Sequence, residues 1–432
     1  MPKNKYRFET LTLHAGQRPD TTTLSRGVPV YRTSSYVFKS TDHAANLFAL
    51  KELGNIYTRL MNPTHSVLED RISALEGGAA SVAVASGTSA IHYAIITIAG
   101  QGDEIVSANN LYGGTYTMFD AIFPQFGITT KFVDARDPKN FEKAIGPRTK
   151  LIFIETISNP VLDVTDVDEV AKIAHAHGLP LIVDATFTTP YLLQTISHGA
   201  NIVINSLTKW IGGHGTAIGG MVTDAGGFNW KSDRFPLFNV PDPNYHGMIW
   251  AHDLPEELSS IAFGLRLRTV PLRNLGAAIS PDNAWIFLQG VETLPLRMRK
   301  HSENAQRVAE FLKNDKRVDW VRYPGLIGDP GHETAKKLLK NGYGGMVVFG
   351  IKGGYDAAVK LIDNIPLFSH LANVGDAKSQ ILHPASTSHS QLSEAQQREG
   401  GLTPELVRLS VGLEHPDDII EALDEGLAMT KQ

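Results

Sequence analysis

The stretch LPLIVDATFTTPYLLQTISHGANIVINSLTK, residues 179–209, holds two short apolar runs separated by a helix-length segment. LPLIVDA (179–185) closes around Asp184, and ANIVINS (200–206) closes on Ser206, with Thr208 and Lys209 just beyond it. Lys209 lies 25 positions after Asp184, one strand-helix-strand unit, so the two are expected at the ends of neighbouring parallel strands. The same rhythm extends upstream through SVAVAS (81–86), DEIVSA (103–108), TTKFVDA (129–135) and KLIFIET (150–156). Helical patterns separate these runs, among them DVDEVAKIAHAHG (166–178), and VLEDRISALEGG (67–78) reads as a helix stopped by glycines. Strands alternating with helices predict an α/β domain whose mostly parallel sheet is covered on both faces.

Outside this block the pattern changes. Residues 1–65 are rich in Thr, Ser, Arg, Tyr and Pro without a sustained apolar period, and predict an extended arm with short helical pieces. Residues 66–285 form the large domain. Within it, residues 223–253 carry Gly, Pro, Asn and aromatic residues over a length that predicts a lid or an interface insert. A long helical pattern runs over 281–314, and WVRYPG (320–325), MVVFGIKG (346–353) and ELVRLSVGLE (405–414) then read as strands. These define a smaller C-terminal α+β domain at 286–432.

The chain has 432 residues, 42% apolar and 20% charged, a composition that folds. Forty Lys and Arg against 45 Asp and Glu, with no basic run, argue against nucleic acid as a partner. Zero cysteines exclude disulfides, thiolate metal sites and a cysteine nucleophile. The start, MPKNKYRFET, lacks an apolar stretch, and no segment reaches the ~18 apolar residues of a membrane helix. The expectation is a cytoplasmic protein without a membrane partner.

In doubly wound sheets, ligands bind beyond the carboxyl ends of the strands, and here those ends carry complementary groups. Gly87 and Thr88 open a helix after SVAVAS, where backbone amides and the positive dipole end suit a phosphate. Tyr112 follows DEIVSA beside two glycines, and Asn159 sits in a turn after KLIFIET. Asp184, and the cluster of Ser206, Thr208 and Lys209, complete the set. One cofactor uses all of these groups. Pyridoxal phosphate has a phosphate, a ring to be stacked, a phenolic oxygen, a pyridine nitrogen and an aldehyde. Asp184 would keep the pyridine nitrogen protonated, and Lys209 would join the aldehyde through its amine, which burial makes nucleophilic. Ser206 and Thr208 would bond the phosphate with Gly87 and Thr88.

The motifs YTRLMNPT (57–64), ASGTSA (85–90), NNLYGGTY (109–116), ETISNP (155–160), VDATFTTP (183–190), NSLTKWIGGHG (205–215) and RLSVGLE (408–414) occur in that order. The chain thereby resembles the pyridoxal-phosphate enzymes of cysteine and methionine metabolism along almost its whole length. That resemblance implies the aspartate aminotransferase-like fold (PLP fold type I), with a mostly parallel seven-stranded sheet and a smaller C-terminal α+β domain. It implies that Lys209 carries the cofactor, Asp184 meets the pyridine nitrogen, Tyr112 stacks on the ring and Asn159 contacts the phenolic side. By the same resemblance, Tyr57 and Arg59 reach the phosphate of a neighbouring subunit, and Arg408 binds the substrate carboxylate as a fork. The implied assembly is a homo-oligomer, at least a dimer with shared sites, and a tetramer.

Within the family, the length, the 223–253 insert and the segment ANVGDAKS (372–379) followed by HPASTSH (383–389) are similar to the O-acetylhomoserine sulfhydrylases. Asn373 of that segment is then expected beside the substrate. Thr88 departs from the methionine common at its position in relatives, which leaves its backbone amide available. The implied reaction is γ-replacement of acetate by sulfide or a thiol, with Lys209, Tyr112 and Asp184 as the catalytic set. The alternative on the same scaffold is a γ-lyase or γ-synthase acting on methionine, homocysteine or cystathionine. Other classes fare poorly. No G-x-G-x-x-G follows the first strand, no G-x-x-x-x-G-K occurs, and His332-Glu333 has Lys336 where a second zinc histidine would stand.

Overall fold

The first sheet of the computed structural model, which describes residues 6–387 and 401–430, has seven strands. They are β1 (Ala80–Val84), β2 (Glu104–Ala108), β3 (Thr129–Val133), β4 (Thr149–Glu155), β5 (Leu181–Asp184), β6 (Ile202–Ser206) and β7 (Gly220–Asp224). Their order is β1-β7-β6-β5-β4-β2-β3, and β7 alone runs antiparallel to both neighbours. β4 is buried at all seven positions, as a central strand covered on both faces must be. Each fully buried Leu, Ile or Phe along it contributes ~1.5–3 kcal/mol. β3, at the edge, is partly exposed, and its Lys131 pairs with Glu104 at 2.9 Å.

β7 is missing from the strands read in the sequence, and Thr223 and Asp224 belong to it, not to the insert expected at 223–253. GMVTD holds only two consecutive apolar residues, Met221 and Val222, between a glycine and two polar residues. It also begins on Gly220, which lies too close to the backbone of Ser86 for any side chain. The rest of the insert packs into the large domain. Trp230, Phe235, Phe238 and Trp250 are buried in the large-domain core, and Trp230 stacks on Phe238 at 4.4 Å. Asp242 ties the segment down, accepting the Trp250 indole N–H at 2.9 Å and pairing with the buried Arg266 at 3.4 Å.

Helix boundaries follow local chemistry. Asn62 caps the helix Pro63–Glu76 by accepting the Thr64 N–H at 2.9 Å, and Pro63 sits where a missing N–H is harmless. Gly77, at φ 77°, ends that helix in the left-handed region. The pattern over 281–314 is two helices, Pro281–Glu292 and Leu294–Asn314, because Pro295 cannot continue the hydrogen bonds of the first. The second sheet follows, with β8 (Val318–Arg322), β9 (Met346–Ile351), β10 (Ser369–His370), β11 (Gln380–Leu382) and β12 (Leu406–Ser410) in the order β10-β11-β12-β9-β8. β10 and β11 escape sequence reading because they span two and three residues. Ser388 and His389 of the HPASTSH motif lie outside the described residues.

Glu76 closes the helix Pro63–Glu76 in full burial. Its carboxyl faces Thr195 and Asn205 without a well-formed hydrogen bond to either, and burial pushes it up to about 8. The unfolded chain releases this proton near pH 4.5 and the folded chain keeps it to about 8, so stability falls as pH rises across that window. Glu76→Gln is expected to make the decline shallower, since burial also pushes up the carboxyls of Asp184, Asp224 and Glu155, and to leave the variant more stable than the parent near pH 8 by an amount on the order of a few kcal/mol. Urea unfolding midpoints at pH 5 and pH 8 check this, and equal pH slopes for the two proteins would contradict it.

Candidate active site

The carboxyl ends of β4, β5 and β6 open into a cleft of about 280 Å³ whose far wall is the 372–374 segment and β12. Gly87, Thr88, Tyr112, Asn159, Asp184, Ser206, Thr208, Lys209, Asn373 and Arg408 all line it. Residues separated by more than 300 positions in sequence are thus brought together as the strand ends predict. Tyr57 and Arg59 are not in this cleft. They lie on the surface of the arm, with the Arg59 guanidinium 5.3 Å from the centroid of the Tyr57 ring.

Lys209 follows β6, and its Nζ donates to Asn373 Oδ1 at 2.6 Å. Burial, reinforced by the positive charge of Arg408, brings its amine down to about 8, so a useful fraction is unprotonated and nucleophilic near neutral pH. Arg408, on β12, is buried, and burial brings it to about 10. Its donors reach Asn159 Oδ1 at 3.0 Å and the Asn373 carbonyl at 3.4 Å. Both partners are neutral, so the guanidinium keeps its full charge for an incoming anion.

Asp184 lies at the end of β5, paired in register with Glu155 on β4. Burial pushes its carboxyl up to about 6, opposed by the Thr186 N–H, which donates to Oδ1 at 2.9 Å. The Thr186 hydroxyl in turn accepts the Ser206 N–H at 2.8 Å, which links the ends of β5 and β6. Tyr112 leans over Gly114, where a Cβ would stand 2.6 Å from the ring. Gly375, at φ 78°, allows the 372–375 segment to press on Lys209 and Trp210, since a Cβ there would sit 2.6 Å from the Trp210 nitrogen.

The phosphate end is built at the start of the helix Gly87–Ile98. Ser86 caps it by accepting the Ser89 N–H at 3.0 Å, which leaves the Gly87 and Thr88 amides without a partner inside the helix. A Cβ at Gly87 would lie 2.7 Å from Ser206 Cβ, so glycine alone lets these two walls of the cradle approach. The Thr208 hydroxyl bridges to Gly219, accepting its N–H at 3.1 Å.

Sequence reasoning missed three residues here. Thr186 directly follows the run LPLIVDA and Glu155 lies within the run KLIFIET, and neither carries a role in the strand-end reading. Arg297 gives no signal inside its amphipathic helix. Its buried guanidinium donates to the carbonyls of Trp210 at 2.6 Å and Ile211 at 3.0 Å, bracing the backbone that follows Lys209.

A cleft with a phosphate cradle at one end and a nucleophilic amine near a buried carboxyl has the chemistry of a pyridoxal-phosphate enzyme. The model of the Cys/Met metabolism PLP-dependent enzymes matches residues 9–428, and the chain belongs to that family. It is 54% identical to the O-acetyl-L-homoserine sulfhydrylase of Leptospira meyeri, over 99% of this chain and 98% of that one. It is 50% identical to the homocysteine synthase of Schizosaccharomyces pombe, over 99% of each chain. A crystal structure from Campylobacter jejuni with N'-pyridoxyl-lysine-5'-monophosphate superposes with a TM-score of 0.94 at 42% identity, covering 98% of this chain and all of that one.

Pyridoxal phosphate is the cofactor, and the cradle at Gly87 and the buried amine fit its two ends. Gly87→Ala forces a methyl group into Ser206, a clash of the kind that costs ~1–3 kcal/mol in packed sites. Affinity for pyridoxal phosphate is expected to fall about tenfold or more, while the variant remains folded. Titration of the cofactor-stripped protein, followed by cofactor absorbance, measures this; unchanged affinity would remove Gly87 from the cradle.

Proposed function

We propose that the chain carries out γ-replacement on O-acetyl-L-homoserine, with sulfide displacing acetate to give L-homocysteine. The observation that carries this reading is the full-length similarity to O-acetyl-L-homoserine sulfhydrylase and homocysteine synthase, joined to a cleft with an amine, a carboxyl and a guanidinium held by neutral oxygens. Bound pyridoxal phosphate supplies an electron sink for charge at the substrate's α-carbon. Lys209 would hold the cofactor, and its Nζ, as an unprotonated amine, would take the α-proton of the substrate. Its lowered pKa suits both roles. Asp184 would keep the pyridine nitrogen protonated, and Tyr112 would face the ring and pass a proton near the leaving group. Gly87, Thr88, Ser206 and Thr208 hold the phosphate. Arg408 receives the substrate carboxylate, oriented by Asn159 and Asn373. In the net reaction, the Cγ–O bond breaks with its electron pair leaving on acetate, and sulfur forms the new bond to Cγ.

The reading extends to assembly. The arm exposes Leu24, Val37, Leu53 and Tyr57, and Val37 is 97% exposed, an apolar display suited to a second copy of the chain. Tyr57 and Arg59 then complete the phosphate site of the neighbouring subunit, within a homodimer or a tetramer built from such dimers. No helix among the described residues is long and apolar enough to cross a membrane, and the proposed location is the cytoplasm.

Incubation with O-acetyl-L-homoserine and sulfide is expected to yield homocysteine and acetate, with Lys209→Ala inactive. Dominant 2-oxobutyrate and ammonia would favour the γ-lyase alternative. Arg59→Ala and Lys209→Ala subunits, each inactive alone, should regain up to roughly a quarter of parental activity per site when unfolded and reassembled together, as random pairing restores one intact site in half of the dimers. Mixed oligomers with no activity would place Arg59 outside a shared site.

A further inference from the structure

Glu155 has no part in the chemistry above, yet it lies under the centre of the cleft. It ends β4 in register with Asp184, is 7% exposed, and contributes to the cleft lining. Its Oε1 accepts the backbone N–H of Tyr112 at 2.7 Å, and the backbone amide of Asn159 faces the same carboxyl. Tyr112 begins the short helix Gly113–Thr117, with no side-chain cap of its own. The bond to Glu155 therefore sets where its ring stands. Asn159, in turn, orients Arg408 through its Oδ1.

We propose that Glu155 is a positioning residue that fixes Tyr112 and Asn159 relative to Asp184, so that the ring-stacking and carboxylate-binding groups are set from one buried point. The inference rests on the site reading given above. Electrostatics agrees with the geometry. Burial and the neighbouring Asp184 both push the Glu155 carboxyl well above the usual range, since two adjacent buried carboxylates resist ionising together. A neutral Glu155 holds its partners through hydrogen bonds and leaves Asp184 as the carboxylate of the pair.

Glu155→Gln, Glu155→Asp, Glu155→Ala and Asp184→Ala full-length chains, stripped of cofactor and titrated with pyridoxal phosphate, test the proposal through absorbance and induced circular dichroism. Glu155→Gln keeps an oxygen in reach of the Tyr112 N–H and should bind within about threefold of the parent. Glu155→Asp keeps the carboxyl but is one methylene too short. It should lose about tenfold in affinity, alter the induced dichroism, and raise KM more than it lowers kcat. Glu155→Ala should follow Glu155→Asp; if it does not fold, the contrast between Gln and Asp decides. Parental affinity and dichroism in Glu155→Asp, or a loss in Glu155→Gln as large as in Glu155→Asp, would overturn the positioning role. Unchanged binding in Asp184→Ala would instead show that the site reading itself is at fault.

Discussion

Two cations, the half-buried Lys209 and the buried Arg408, share one cleft, and the cost of keeping them out of water shapes everything placed around them. Among the described residues no carboxylate forms an ion pair with either. Lys209 rests on the Asn373 side chain and Arg408 on Asn159 and the Asn373 carbonyl, so geometry is supplied by neutral oxygens. Desolvation and mutual repulsion draw the lysine toward its amine form, which is the reactive one. The arginine, with a far higher intrinsic pKa, stays charged in the same surroundings. One physical cause thus prepares a nucleophile and an anion site side by side.

That arrangement requires the two sheets to be held together closely. The 372–375 segment is clamped by the Gly375 N–H donating to Ser410 Oγ at 2.9 Å, and Arg297 braces the carbonyls after Lys209 from the opposite side. A further seam lies outside the cleft, where Arg322 of β8 pairs with Asp163 at 2.9 Å, and Asn110 donates to the same carboxylate at 3.3 Å. The aromatic insert behind β7 adds bulk to the core and contributes no residue to the cleft lining. Rigidity around the lysine therefore comes from backbone contacts and buried hydrogen bonds.

Much of this was legible before any coordinates. Five strands of the first sheet announce themselves as apolar runs, because a strand covered on both faces has few polar positions to dilute the signal, and the edge strand β3 shows through its place in the strand-helix rhythm. The candidate site residues were legible for a related reason. Strand ends of a parallel sheet point one way, so the residues following each run must converge. β7 was unreadable because its place depends on Gly220 meeting Ser86, a contact across more than 130 positions. The break at Thr293 was masked by a helical apolar period that continues on either side of it.

By itself the sequence determined the α/β alternation, the convergence of Asp184 and Lys209 on one sheet edge, and the motif order that identifies the family. These follow from local periodicity and turn chemistry, which act over a few residues. Only the tertiary structure decided the burial of Lys209 beside Arg408, the union of Tyr112 and Asn159 at Glu155, and the incorporation of the 225–253 aromatics into the core. Each of these depends on desolvation and close packing between segments far apart in the chain, and such energies exist only once the chain has folded.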